Sequence, residues 1–333
     1  MLAVYCTGKE TIAVKETDPP QAEPGEVIVR VRACGVCGTD LHYYDGSLPV
    51  SPTASLGHEF AGEVAEIGEG VSGWVAGDRV AVEPLRRCGL CAYCTTGRYH
   101  LCRKRQLTSE NGAMAEYISV AANMPYKLPD GVDFEIGALT EPLAVAIHGL
   151  HLVNVRAGER VLVMGCGTIG LMAVLAARAM GAEVIAIYRH DHQGEAALRA
   201  GAARVVRDGE TKGLERDDID VVVETVGGQA PTIAQALGIV RMGGRISVLG
   251  VFTQTATINA LGLVLKEVTL TGGITYCRPG LRSDFDTALA VLNDNADRAR
   301  SMISHRFPLA EAAQAFATAA DKTTKSLKVQ VQM

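Results

Sequence analysis

Residues 160–190 read RVLVMGCGTIGLMAVLAARAMGAEVIAIYRH, and this stretch decides the fold. RVLVMG is an apolar run ended by glycine, the pattern of a buried parallel strand. TIGLMAVLAARAMGA is built of helix formers and stops at Gly181. EVIAIY is a second strand. Residues 161–177 carry no charge. They are nevertheless short for a membrane span and are broken by Gly165, Gly167 and Gly170, so they read as strand, turn and helix start. The turn itself, Gly165-Cys166-Gly167-Thr168-Ile169-Gly170, has the GxGxxG spacing in the context that gives it meaning, after a strand and opening a helix. The first glycine permits the tight turn, the second lets a pyrophosphate approach the backbone, and the third lets helix pack on strand. The helix start at Thr168 and Ile169 offers unpaired N–H groups to the anion.

The alternation continues. GEAALRAGA reads as a helix, ARVV and DVVVET as strands, PTIAQALGIVRMG as a helix, and RISVLGV and LVLKEVTLTGG as strands. This is the signature of an α/β, doubly wound parallel sheet. Before about Glu141 the chain changes character. EVIVRVRACGV, FAGEVAEIG and DRVAVEP are short strand signals between Gly, Pro and Asp, an irregular β domain with long loops. After about Gly273 come a helix (FDTALAVLNDNA), HRFP, a helix (LAEAAQAFATAA) and a closing strand (SLKVQV). The expected division is residues 1–142 with 273–333 in one domain and 143–272 in the nucleotide-binding domain.

The end of the second strand selects the cofactor. NAD sites place Asp or Glu there to hold the ribose hydroxyls. Here Tyr188 stands in that position and Arg189 follows. A carboxylate would repel a ribose phosphate by roughly 4 kcal/mol per charge pair at 4 Å and an effective dielectric near 20. That repulsion is absent and a guanidinium is on offer, so the residues point to NADP. Asp191, three residues after Tyr188, keeps NAD as the alternative.

CGLCAYCTTGRYHLC places Cys88, Cys91, Cys94 and Cys102 in a C-x2-C-x2-C-x7-C pattern. Four thiolates so close can close a tetrahedral zinc shell with no open position, a structural site in a lobe over residues 86–103. Arg86, Arg87, Arg98, Arg103, Lys104 and Arg105 surround it and read as a solvated basic face rather than a nucleic-acid surface. The 333-residue chain has a net charge of -5 and is 48% hydrophobic. Neither figure favours nucleic acid or an anionic membrane as partner. No secretory leader pattern precedes the first charged residues, and close-set cysteines suit metal binding in the cytoplasm. Cys6, Cys34, Cys166 and Cys277 remain as buried free thiols.

A second metal-type set lies upstream: Cys37 in ACGVCGTDLHYYDG, His58 and Glu59 in SLGHEFAGEV, and Glu141 in ALTEPLAVAIHGL. A catalytic zinc takes about three protein ligands and leaves one position open. Cys37 and His58 are the firm candidates, and Glu59 and Glu141 compete for the remaining role. Adjacent strand residues point to opposite faces, so His58 and Glu59 share a metal only where the chain is irregular, which Gly57 permits.

GVCGTDLH, GHEFAGEV, GDRVAVEP, the four-cysteine lobe, TEPLAVAIH, GCGTIG and LVLKEVTLTGG occur in order. In these motifs the chain resembles the zinc-containing medium-chain dehydrogenase/reductase family over essentially its full length. CGTDLHYY and YKLPDGVDFEIGALTEPLAVAIH are most similar to its sorbitol-type polyol branch. The resemblance implies a GroES-like β catalytic domain and a Rossmann domain with the active site between them, two zinc ions per subunit, and a homodimer or homotetramer. It assigns Cys37 and His58 to the first catalytic zinc ligands, Glu59 to the carboxylate that follows the ligand histidine, Glu141 to the third-ligand position, and the four cysteines to the structural zinc. Thr39 and His42 match the family's proton relay. Asp40 is expected behind His58, and Tyr43 and Tyr44 on the pocket wall or in packing.

The implied reaction is hydride transfer between a secondary alcohol and NADP or NAD, with zinc polarising the substrate oxygen. Within the family the alternatives are a threonine-type or simple alcohol dehydrogenase. Outside it stands a non-catalytic nucleotide-binding zinc protein. A zinc-free quinone reductase would leave Cys37, His58, Glu59 and Glu141 idle. The segment between Cys102 and Ala115-Glu116-Tyr117 is shorter than the family's usual one, which bears on one wall of the pocket.

Overall fold

The computed structural model describes residues 1–49, 51, 54–107 and 112–333. It forms two compact units, one of residues 1–141, 292–296 and 303–333, the other of residues 142–291 and 297–302.

In the second unit, six parallel strands line up as Arg204–Arg207, Glu183–Tyr188, Arg160–Met164, Val221–Glu224, Arg245–Val248 and Thr269–Gly272. Numbered along the chain this is the order 3-2-1-4-5-6 of a Rossmann sheet, with its switch point beside the first strand. Val161, Leu162, Val163, Val221, Val222 and Val223 are buried, as expected of β-branched central strands covered on both faces. The helix Thr168–Ala179 buries Leu171, Met172, Val174 and Leu175.

One sequence expectation fails here. LVLKEVTLTGG is not a single strand: its first residues finish a helix, Ala260–Leu265, and the strand is only Thr269–Gly272. The cause is local. Asn259 caps the helix by accepting the Gly262 N–H at 3.0 Å. Lys266 then turns away to donate to the carbonyls of Leu237, Gly238 and Val240, the orphan acceptors at the end of the helix Thr232–Ile239.

The first unit is built on a seven-stranded sheet. Ile303–Pro308, Lys328–Gln332, Glu26–Gly35, Glu59–Ile67, Arg79–Val82 and Pro125–Lys127 follow one another across it, and Tyr117–Ala121 also pairs with Glu26–Gly35. All pairings are antiparallel except that of Ile303–Pro308 with Lys328–Gln332. Val27, Val29, Val31, Phe60, Val64, Val80 and Phe316 are among its core residues.

Residues 273–291, expected with this first domain, pack in the nucleotide-binding unit instead. The anchor is Asp284, buried at the start of the helix Asp284–Asp294. It accepts hydrogen bonds from His148 Nδ1 (2.9 Å), His151 Nδ1 (2.7 Å) and the Cys277 N–H (2.8 Å). Both histidines lie on the helix Thr140–Leu152. Burial alone would raise the Asp284 pKa, but these bonds win and hold it at about 2. A carboxylate depressed in the folded state stabilises the protein above its unfolded pKa and loses that contribution as the pH falls through the folded one. Asp284→Asn is therefore expected to cost about 2 kcal/mol at neutral pH. The gap from the parent should close as the pH falls from about 4 toward 2 in urea unfolding.

Candidate active site

Cys37 sits at the N-cap of the short helix Gly38–Tyr44. Its backbone N–H donates to Asp40 Oδ2 at 2.9 Å. His58 and Glu59 enter from the other side of a sharp bend. Gly57 makes the bend, with φ +92, and a Cβ there would strike Met114 Cγ at 2.6 Å and Cys34 Sγ at 2.7 Å. Only glycine meets both demands. The strand starts at Glu59, so His58 is free of the strand's alternation. The ligand atoms of Cys37, His58 and Glu59 come to lie within 4.8 Å of one another.

Glu59 is fixed by two partners. It lies opposite Gly35 across the strand pair, and a Cβ on Gly35 would stand 2.1 Å from Glu59 Oε2. That oxygen accepts a hydrogen bond from Lys328 Nζ at 2.5 Å, and Lys328 also donates to the Val36 carbonyl at 2.9 Å. Both side chains of the ion pair are almost wholly buried. Burial opposes the charge on Lys328, yet Glu59 and Cys37 more than offset it and raise its pKa.

His58 shows the same balance. Burial disfavours its charge, but the Cys37 sulfur, Asp40 and Glu141 together lift its pKa well above the ordinary imidazole range. Asp40 stands behind it with Oδ1 at 4.0 Å from Nδ1, an ion-pair distance longer than the hydrogen bond expected for it. Glu141 is buried in the first turn of the helix Thr140–Leu152 and acts on both His58 and Lys328. It is outside the tight group of three. A soft thiolate, an imidazole and a carboxylate converging from different elements form a donor set suited to zinc.

A cavity of about 190 Å³ opens beside this group, lined by His58, Thr39, Tyr43, Ser51, Ser55 and Leu107 among others. Tyr43 is thus a wall residue, whereas Tyr44 packs on Phe316 with ring centroids 5.7 Å apart. His42, on the same helix as Thr39, is half-exposed, with Nδ1 3.9 Å from Asp45. Part of the shortened segment after Cys102, residues 108–111, lies outside the described residues.

The four-cysteine lobe is compact. Cys88–Cys94, Cys91–Cys94 and Cys88–Cys102 have sulfur separations of 3.8, 3.5 and 3.5 Å. A tetrahedron with metal–sulfur bonds of about 2.3 Å has edges of about 3.8 Å, so the sulfurs fit zinc. Backbone N–H groups of Leu90 and Cys91 bring the Cys88 thiol down to about 6, while burial and the sulfur of Cys91 push Cys94 up to about 12. Four sulfurs this close cannot all ionise without a cation among them.

Sequence reasoning missed what seats this lobe. Glu83, fully buried, accepts from Arg87 (2.7 Å), Tyr99 (3.1 Å) and Tyr126 (2.9 Å). The Arg87 guanidinium also lies 3.9 Å from the Tyr99 ring centroid, and Arg86 pairs with Glu26 at 2.7 Å. Two members of the basic face are thus tied to buried or half-buried acids.

In the nucleotide-binding unit the glycine turn has the expected shape. Gly165 has φ +93, and its N–H donates to the Ile187 carbonyl at 3.0 Å. A Cβ on Gly170 would stand 1.8 Å from the Gly165 carbonyl oxygen, whereas one on Gly167 would meet nothing within 4 Å. The chain is therefore closed behind the turn and open in front of it, the cradle a pyrophosphate needs. Gly167 caps the helix carrying Thr168 and Ile169. Tyr188 ends its strand and Arg189 is exposed beyond it. Asp191 does not stand free for a ribose: Arg207 donates to it.

Comparison with known proteins identifies the family. Residues 23–130 match the alcohol dehydrogenase GroES-like domain and residues 168–294 the zinc-binding dehydrogenase domain. A sorbitol dehydrogenase of Halalkalibacterium halodurans is 32% identical over 340 residues, spanning 97% of this chain and 96% of the relative. The chain belongs to the zinc-containing medium-chain dehydrogenase/reductase family. An L-idonate 5-dehydrogenase of Vitis vinifera from the same family is 33% identical, with 96% of this chain and 91% of that one aligned. Among solved structures, a zinc-binding dehydrogenase of Sinorhizobium meliloti bound to NADP superimposes with a TM-score of 0.89 at 32% identity, covering 100% of this chain and 99% of its own. The GroES-like and Rossmann architecture is thereby established, and the protein is a dehydrogenase.

The Lys328–Glu59 pair gives a test in protein without metal. Lys328→Met leaves a buried carboxylate without its cation and is expected to cost about 3 kcal/mol or more in chemical denaturation. Lys328→Met combined with Glu59→Gln should recover part of that loss.

Proposed function

We propose that this enzyme transfers hydride between a secondary hydroxyl of a polyol or sugar-derived substrate and NADP. The reading rests chiefly on one observation, the convergence of Cys37, His58 and Glu59 beside a small cavity walled by hydroxyl side chains. Cys37, His58 and Glu59 would hold the catalytic zinc, with Glu141 as the second carboxylate at hand. Cys88, Cys91, Cys94 and Cys102 would hold the structural one. When bound, the zinc supplies Lewis acidity to a substrate oxygen and the nicotinamide supplies the hydride acceptor.

The chain's own residues do the rest. Thr39 faces the cavity, and its hydroxyl would accept the substrate's hydroxyl proton while passing its own on, by way of the cofactor ribose, toward His42. His42 lies three residues on, on the same side of the helix, and its half-exposed ring passes the proton to solvent. The hydroxyls of Tyr43, Ser51 and Ser55 line this cavity and suit a substrate with further hydroxyl groups. The polyol and sugar-acid dehydrogenases among the relatives support this choice. Tyr188, in place of an acid, and the adjacent Arg189 favour NADP. All nine cysteines are free thiols, and among the described residues no helix is long and apolar enough to cross a membrane. Both facts suit a cytoplasmic enzyme.

A second copy of the chain is its proposed partner. Thr269–Gly272 is the last strand of its sheet. The preceding helix exposes Leu261, Val264 and Leu265 at 67, 70 and 68%. An apolar patch beside a bare strand edge marks an interface.

Three measurements test this reading. Metal analysis should find two zinc ions per chain, one after Cys37→Ser, and initial rates should show turnover of vicinal polyols with NADP that Cys37→Ser abolishes. Turnover restricted to simple alcohols would reject the polyol assignment. In sedimentation, Val264→Glu with Leu265→Glu should shift the oligomer toward monomer.

A further inference from the structure

The cation that stands over Tyr188 comes from another strand. Tyr188 and Arg207 are paired in register across the parallel strands Glu183–Tyr188 and Arg204–Arg207. Both sit at the carboxyl ends of those strands, where ligands of such sheets bind. The Arg207 guanidinium lies 5.4 Å from the Tyr188 ring centroid. The ring is also confined by Gly194, where a Cβ would stand 2.9 Å from it. The Arg207 guanidinium in turn donates to Asp191, in the first turn of the helix Asp191–Ala200. This ion pair is open to solvent, with side-chain exposures of 41% for Arg207 and 74% for Asp191.

We propose that Arg207 is the residue that selects the phosphorylated cofactor, with the Tyr188 ring as its platform and Asp191 as the anion it gives up to the ribose 2′-phosphate. This rests on the NADP reading above and extends it to residues that reading does not use. A guanidinium placed over a ring by the cation–π attraction offers a planar N–H fork, the geometry that grips two oxygens of a phosphate. Asp191 offers that fork a single negative charge, whereas a phosphate monoester offers nearly two and three acceptor oxygens. An ion pair this exposed contributes little stability of its own, so it exchanges readily. Asp191 is thus both a placeholder and a filter. Paired with Arg207 it is not available to a bare ribose, and released by phosphate it leaves Arg207 bound to the cofactor. Arg189, exposed at the neighbouring position, adds positive charge to the same side.

The test needs neither zinc nor substrate. Binding of NADPH and NADH is followed by nicotinamide fluorescence, and binding of adenosine 2′,5′-bisphosphate and 5′-AMP by calorimetry. The wild-type protein should prefer NADPH and the bisphosphate. Arg207→Gln should weaken those two by about tenfold or more, leaving NADH and 5′-AMP within about twofold. Arg207→Lys should fall between, keeping the charge without the fork. Asp191→Asn should tighten NADPH several-fold without changing NADH. Equal losses for both cofactors in Arg207→Gln would mean that Arg207 only supports the fold, and would overturn the proposal. So would weaker NADPH binding in Asp191→Asn. A wild-type preference for NADH would reject the NADP reading itself, whereas an NADPH preference that survives Arg207→Gln rejects this inference alone.

Discussion

A single buried ion pair sets the position of the catalytic group. Lys328 reaches Glu59 from the strand Lys328–Gln332, while Gly35 leaves the space that the Glu59 carboxylate fills. Taking two charges out of water costs several kcal/mol per ion. The pair persists because the geometry is tight and the Val36 carbonyl takes a further Lys328 hydrogen. The result is a carboxylate that points at Cys37 and His58 yet carries a resident cation. Glu59 would therefore meet a metal already half neutralised, its donor strength set from the sheet rather than from the loops.

The same logic recurs at the four-cysteine lobe. Glu83 gathers Arg87, Tyr99 and Tyr126 in the core, and the Tyr99 carbonyl accepts the Cys102 N–H at 2.9 Å. A metal would close the sulfurs on themselves, but it is the buried carboxylate that ties the lobe to the β domain. In both places a charge inside the protein is tolerated because it is paired, and each is a fixed point from which a proposed metal group would project.

The parts of this arrangement that the sequence announces are those whose causes are local. Gly165 takes a positive φ and Gly170 abuts the Gly165 carbonyl, demands set within the turn itself, so the turn can be read directly. The cysteine spacing works for the same reason. Gly57 next to His58 discloses the bend that joins His58 to Glu59. Lys328 and Arg207 are illegible because Glu59 and Asp191 lie 269 and 16 residues away, and Glu83 because Tyr99 and Tyr126 lie 16 and 43 residues on, although a lysine within the alternating SLKVQV and a glutamate within DRVAVEP hint at inward-facing charge. LVLKEVTLTGG misleads because a short apolar run with β-branched residues fits helix and strand equally, and only the Asn259 cap decides. The placement of residues 273–291 is a tertiary matter: nothing near Asp284 in sequence reveals that His148 and His151 will hold it.

The pairing of Lys328 with Glu59 spans 269 residues, and this has a consequence for how the protein is made. The strand Lys328–Gln332 lies between Ile303–Pro308 and Glu26–Gly35, so the first sheet stays unfinished while the Rossmann sheet, complete at Gly272, folds. At synthesis rates of about 5–20 residues per second, the wait is on the order of tens of seconds. Throughout it the nascent chain presents an open strand edge at residues 33–35, where Lys328–Gln332 will pair, and an acidic side chain with no counter-ion. Such an edge invites pairing with the wrong neighbour until Lys328–Gln332 arrives to cover it.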